Sequence, residues 1–390
     1  VNAAGGEELP MNCVRGKKIY TGKKVVENAY VTFEGGKLRG VSKEKKGKLL
    51  GTFPVVTPAF IDPHSHIAMV RAGEPGAEAE ANEKMDSILA VPDALDSVQM
   101  DDAALMDAVE QGVLYSCVLP GSGNIIGGLS AVIRHYAKNS TDALVARAGV
   151  KAAFGYNPMS TVEWKGKRPS TRMGALAILR TKLNDVSQKM AKRKRTKGAK
   201  KQEITFTAEE AVLRDVLLRK QVLRVHVHKI DDIAALLRIV DEFKLKVTVE
   251  HAGDVHQPEI FAELKKRGIP VIYGPTDSLA YKVELKHDTW RNIKHLIDSG
   301  VEYGLMTDNP VNLTRLLFLQ TRWFTRLGLS KQQAVELVSR KNAELIGVGG
   351  ILGTLERGKW ASFTCWNGDP FDITSYPVAV YGEGELLFSD

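Results

Sequence analysis

Phe60-Ile61-Asp62-Pro63-His64-Ser65-His66 closes an apolar run and reads as the end of a β-strand. Strand alternation sends His64 and His66 to one face, two residues apart. Two imidazoles so placed can hold a zinc-like ion. An H-x-H pair alone recurs by chance, so its weight depends on what the chain sets beside it. Val225-His226-Val227-His228 is a second same-face pair at the end of a later strand-like run. Glu250-His251-Ala252 closes the next run, and Thr307-Asp308-Asn309-Pro310 closes another, with an acid where a helix would begin. Five of the nine histidines thus fall at predicted strand ends. His135, His256, His287 and His295 fall on predicted helices or loops and read as surface or structural.

Around these motifs, β-rich and amphipathic runs alternate. Helical periodicity covers 101–111, 172–190, 207–221, 230–243, 257–267, 288–299 and 330–346, with capping residues Asp101, Thr207, Asp288 and Ser330 and stops at Gly112, Gly268 and Gly300. Strand-like runs cover 113–119, 150–154, 222–228, 246–251, 270–273 and 302–307. This alternation predicts parallel βα units, and residues 58–353 hold enough of them for a (β/α)8 TIM barrel of the usual ~250 residues. A doubly wound sheet is the competitor, but no G-x-G-x-x-G opens any unit. In a barrel the strand ends converge on one rim, where catalytic groups collect. Residues 1–57 and 354–390 carry only short β segments, too few at either end to bury a sheet face. Both termini are therefore expected to form one small β-sandwich domain, with the barrel inserted between its halves.

The 390 residues carry a formal charge of +8, concentrated in Lys192-Arg193-Lys194-Arg195, Lys197, Lys200 and Lys201. No aromatic residues interleave with this run to stack bases, so it reads as a solvated loop between two helices and nucleic acid is not an expected partner. No stretch reaches the ~18 apolar residues of a membrane span, and Val1–Glu8 lacks a secretion pattern. Cys13, Cys117 and Cys365 are scattered, without metal-ligand spacing, which suits a reducing cytoplasm. The expected partner is a small-molecule substrate; no interface is legible, and a homo-oligomer is compatible with the chain.

Three further positions invite chemistry. Lys151 opens an apolar strand, where a lysine is costly unless it is paired with an acid or carbamylated into an anion that bridges two ions. Pro120-Gly121-Ser122-Gly123-Asn124-Ile125-Ile126-Gly127-Gly128 is a Gly-rich turn, either structural or substrate-binding through Asn124. Pro169-Ser170-Thr171-Arg172-Met173-Gly174 starts a helix and sets Arg172 either toward a substrate carboxylate or into solvent.

Taken together, Thr57–His66, His226, His251, Asp308 and the closing Gly353-Thr354-Leu355-Glu356-Arg357-Gly358-Lys359-Trp360-Ala361-Ser362 resemble the amidohydrolase superfamily over nearly the whole chain. Asn82-Glu83, the 121–128 loop, 169–174 and 225–233 resemble its imidazolonepropionase-related group. The resemblance implies His64, His66, His226 and Asp308 as metal ligands and His251 as a second-site ligand or transition-state stabiliser, with His228 standing behind His226 as a substrate-binding residue. It implies one or two divalent ions, zinc by default, with iron or manganese compatible. Relatives commonly carry Glu where this chain has Tyr156, which leaves a second ion dependent on Lys151. The implied activity is hydrolysis of an amide, cyclic amide or dipeptide-like C–N bond, with Asp308 as general base. A deaminase is the nearest rival, but the Glu expected three residues after His226 is Lys229. A non-catalytic barrel scaffold is the other.

Overall fold

A computed structural model describes residues 10–161 and 164–390; the Val1–Glu8 stretch lies outside the described residues. Its strands, in chain order, are β1 (Asn12–Tyr20), β2 (Val25–Glu34), β3 (Lys37–Ser42), β4 (Lys48–Pro58), β5 (Phe60–Ser65), β6 (Val113–Val118), β7 (Ile126–Arg134), β8 (Leu144–Ala153), β9 (Leu223–Val227), β10 (Val247–His251), β11 (Val271–Tyr273), β12 (Tyr303–Leu305), β13 (Phe363–Trp366), β14 (Pro377–Gly382) and β15 (Glu385–Ser389). They form two sheets, one of seven strands and one of eight. The described residues up to Ile61, with 106–115 and 315–390, make one compact unit; 62–105 and 116–314 make the other.

The seven-stranded sheet, in the order β15-β14-β13-β4-β1-β2-β3, draws on both termini. β2 and β3 are joined by Gly35-Gly36, both at positive φ, the two-residue turn that matches strand twist. Phe33 of β2 lies 5.4 Å from Phe363 of β13 and 5.8 Å from Tyr381 of β14, ring to ring, although β1 and β4 intervene in sheet order. The sheet is therefore folded over on itself as a sandwich, with Val14, Val31, Leu38, Val56 and Cys365 also in its core. Neither terminus alone could fill that core.

The eight-stranded sheet runs β12-β11-β10-β9-β8-β7-β6-β5, and the pairs from β8 to β12 are parallel. β5, β6, β9 and β10 are buried at every residue, as strands covered on both faces must be. Backbone bonds from Asp308 N to His64 O (3.1 Å) and from His66 N to Asn309 O (3.0 Å) return the exit of β12 to the end of β5, so the sheet nearly closes as a barrel. It departs from pure βα alternation at β7, which runs antiparallel to β8 and starts inside the expected Gly-rich turn. Residues 119–125 are all that link β6 to β7, whereas a parallel crossover takes about a dozen residues.

The helix Arg172–Arg195 takes in most of the basic run as its last turn, so Lys192–Arg195 do not form a loop. Lysine and arginine are good helix formers, and their charges are favoured at a helix C-terminus. No helix among the described residues is long and apolar enough to cross a membrane.

Candidate metal centre

The end of β5 delivers His64, and His66 follows one residue past it, both buried. His64 Nδ1 lies 2.8 Å from Glu250 Oε2, and His66 Nδ1 lies 2.7 Å from the carbonyl of Leu119. Both partners are acceptors, so each ring carries its proton on Nδ1 and turns the Nε2 lone pair inward. Asp308 Oδ1 sits 3.4 Å from His64 Nε2 and 3.2 Å from His66 Nε2. Burial lowers the pKa of His66, disfavouring a second proton that could bridge the gap. Asp308 is pushed up by burial, yet its pKa is held well below the usual carboxylate range, so it is ionised. The result is a carboxylate facing imidazole lone pairs at contact distance, an arrangement that a cation resolves.

A second cluster adjoins the first. His226 and His228 leave the end of β9, and their rings lie 4.3 and 4.6 Å from that of His251. The His251 ring in turn is 4.9 Å from His64. His251 Nδ1 donates to Gly274 O at 3.0 Å, which leaves Nε2 as a lone pair. His226 Nδ1, His228 Nδ1 and His251 Nε2 are buried without a hydrogen-bond partner among the described residues. Each such nitrogen costs about 1–3 kcal/mol if nothing meets it. Burial lowers all three pKa values, that of His228 to about 4, so the rings are neutral and able to ligate. One ligand atom from each of His226, His228 and His251 lies within 4.8 Å of the others; the same holds for His64, His66 and Asp308, and for Asp254, His256 and His287 on the loops. In that last group His287 N and Nδ1 already bind the Asp254 carboxylate.

Lys151 is fully buried on β8, with Nζ 3.3 Å from His64 Nε2. Burial lowers its pKa to about 8. Asn124 is buried too; its amide nitrogen donates to Glu83 O and Asp86 O at 2.8 and 2.7 Å, tying down that loop. Arg172 is half-exposed, and its Nε donates to Asp232 Oδ1 at 2.6 Å. It borders a cavity of about 240 Å³ with Phe154, Gly155, Met173 and Asp232.

Three residues of this centre are not singled out by the sequence. Asp62 accepts from Thr307 N at 3.2 Å, from the Thr307 hydroxyl and from His64 N at 3.3 Å, pinning β5 to the exit of β12; burial raises its pKa to about 7. Glu250 orients His64 and also meets Arg224 at 3.4 Å. An acid inside a fully buried strand was the available signal for it. Glu284 reaches His226 from Lys282-Val283-Glu284-Leu285-Lys286, which reads as an ordinary surface segment.

The model of the amidohydrolase family matches residues 55–385. The chain belongs to the amidohydrolase family. It is similar to an amidohydrolase from Thermotoga maritima MSB8, with a TM-score of 0.89, 28% identity and coverage of 97% of this chain and 100% of that one. It is also similar to the amidohydrolase tasK of Hapsidospora irregularis, 26% identical over 358 residues, 86% of this chain. The match takes in 36% of that protein, so the chain spans little more than a third of its relative's length. A prolidase complexed with N-methylphosphonate-L-proline shares the fold, with a TM-score of 0.62, 14% identity and coverage of 97% and 100%.

Proposed function

We propose that this amidohydrolase-family chain is a metal-dependent hydrolase cleaving the C–N bond of an amide, cyclic amide or dipeptide-like substrate. The observation that carries the reading is the convergence of His64 Nε2, His66 Nε2 and Asp308 Oδ1, all acceptors, within 3.2–3.4 Å of the carboxylate oxygen. His64, His66 and Asp308 would hold one divalent ion, and His226, His228 and His251 a second, with Lys151 as a carbamylated bridge. The imidazole-rich donor set suits zinc, with iron or manganese compatible. When bound, such an ion acidifies water and polarises a carbonyl. Asp308 then takes the proton of the attacking water and returns it to the leaving nitrogen. With its Nδ1 proton on Gly274 O, His251 offers a lone pair, which suits a ligand better than a donor to a developing oxyanion.

Substrate enters beside a small cavity lined by His228, Gly274, Tyr281, Lys282 and Asp308. Arg172, ion-paired with Asp232, borders the 240 Å³ cavity, and it and Asn124, whose amide oxygen is buried without a partner among the described residues, are the proposed substrate contacts. We assign the chain to the imidazolonepropionase-related group on its 121–128, 169–174 and 225–233 segments, and to the cytoplasm on its three free, buried cysteines. The test is a His64→Ala/His66→Ala double variant assayed on amides, lactams and dipeptides, with metal content measured alongside. Loss of activity together with a bound ion is expected; full activity in the variant overturns the reading.

A further inference from the structure

Glu284 is a fully buried carboxylate on a partly exposed loop. Its neighbours Tyr281 and Val283 are 60% and 68% exposed, while Glu284 itself is 0% exposed. Oε2 is held by the backbone N–H of Tyr156 at 3.0 Å. Gly155, at φ +84°, makes room for it: a Cβ there would lie 3.0 Å from Glu284 Oε2 and 2.9 Å from Asp232 Oδ2. Oε1 points the other way, 3.3 Å from His226 Nε2 and 3.9 Å from His228 Nε2. The nearest cation is Lys282, whose Nζ stands 3.8 Å from Oε1, beyond good hydrogen-bond range.

A buried carboxylate needs a closely paired positive charge, and this one faces Nε2 of His226 and of His228, two of the three imidazoles whose ligand atoms lie within 4.8 Å of one another. We infer that Glu284 is the carboxylate ligand of the second cation site, completing His226, His228 and His251 from the loop after β11. The inference rests on the metal-dependent reading above and extends it in two ways. It gives the second site an anionic ligand of its own, independent of Lys151. It also makes occupancy of that site depend on how the 276–289 loop lies. Three imidazoles and one carboxylate suit zinc or manganese and exclude calcium, which takes oxygen ligands.

Equilibrium dialysis of the full chain against Zn²⁺, with metal counted by mass spectrometry of the elements, tests this. Wild type is expected to retain two ions. Glu284→Gln, which preserves shape and removes the charge, is expected to retain one and to bind the second at least about 10- to 100-fold more weakly. Glu284→Asp is expected to recover part of that affinity, and circular dichroism with the retained first ion reports that the variant is folded. Two ions of unchanged affinity in Glu284→Gln overturn the assignment, as does a wild type that binds only one ion. A wild type that binds none overturns the metal-dependent reading itself, and this inference with it.

Discussion

Glu250 Oε2 stands 2.8 Å from His64 Nδ1, and both side chains are fully buried. The carboxylate fixes the imidazole proton on Nδ1 and thereby turns the Nε2 lone pair toward Asp308, the side of the proposed first ion. Its other oxygen receives Thr248 and Arg224, so one acid orients a ligand and neutralises the guanidinium. Replacing Glu250 by Ala is expected to destabilise the protein by about 3–5 kcal/mol, since it removes the carboxylate of the buried ion pair with Arg224. Urea denaturation monitored by tryptophan fluorescence measures this. Glu250→Gln should lose less stability but weaken the first ion by about 10- to 100-fold.

Asp308→Asn retains the size of the side chain and removes the proposed base. Activity should fall by about 10²–10⁴, the usual yield of general acid–base catalysis, or further if the first ion is lost as well. Steady-state kinetics on metal-reconstituted enzyme read the loss, and near-wild-type activity would rule out Asp308 as the proton carrier.

Gly155→Ala places a methyl group 2.9–3.0 Å from two carboxylate oxygens and forces φ +84° on a residue with a Cβ. A loss of about 1–3 kcal/mol is expected from the backbone alone. Thermal melting checks it, and a double variant with Glu284→Gln should show less than the sum of the two losses.

In chelator-treated protein, Lys151 has its pKa lowered by burial to about 8, against about 10.4 in an unfolded chain. Between those values the unfolded state binds more protons, so the contribution of this group to stability rises with pH from about 8 to 10.4. Below pH 8 the penalty of the buried charge is complete, at about 3 kcal/mol. Lys151→Met should remove this rise, which denaturation curves at pH 8 and 10 would show. An unchanged slope in the variant would mean that Lys151 is not the group responsible.

The sequence by itself determined the barrel class, the two-ended β-domain and the residues at the strand ends. Those features are periodic or local: alternation fixes which residues share a face, and Gly, Asp and Ser mark where helices start and stop. It also led to two misplacements, the missed reversed strand β7 and the basic run that proved to be a helix terminus. The tertiary structure decided what lies beside each of these residues. Strand alternation would send Glu250 and His251 to opposite faces, yet φ +79° at His251 breaks the pleat, and both side chains reach His64. Tyr156 stands in the sequence where an acid is expected; in the fold its backbone N–H binds Glu284, brought in from 128 residues away. No local pattern encodes that meeting, because it is set by where barrel closure brings a loop rather than by the spacing of residues along the chain.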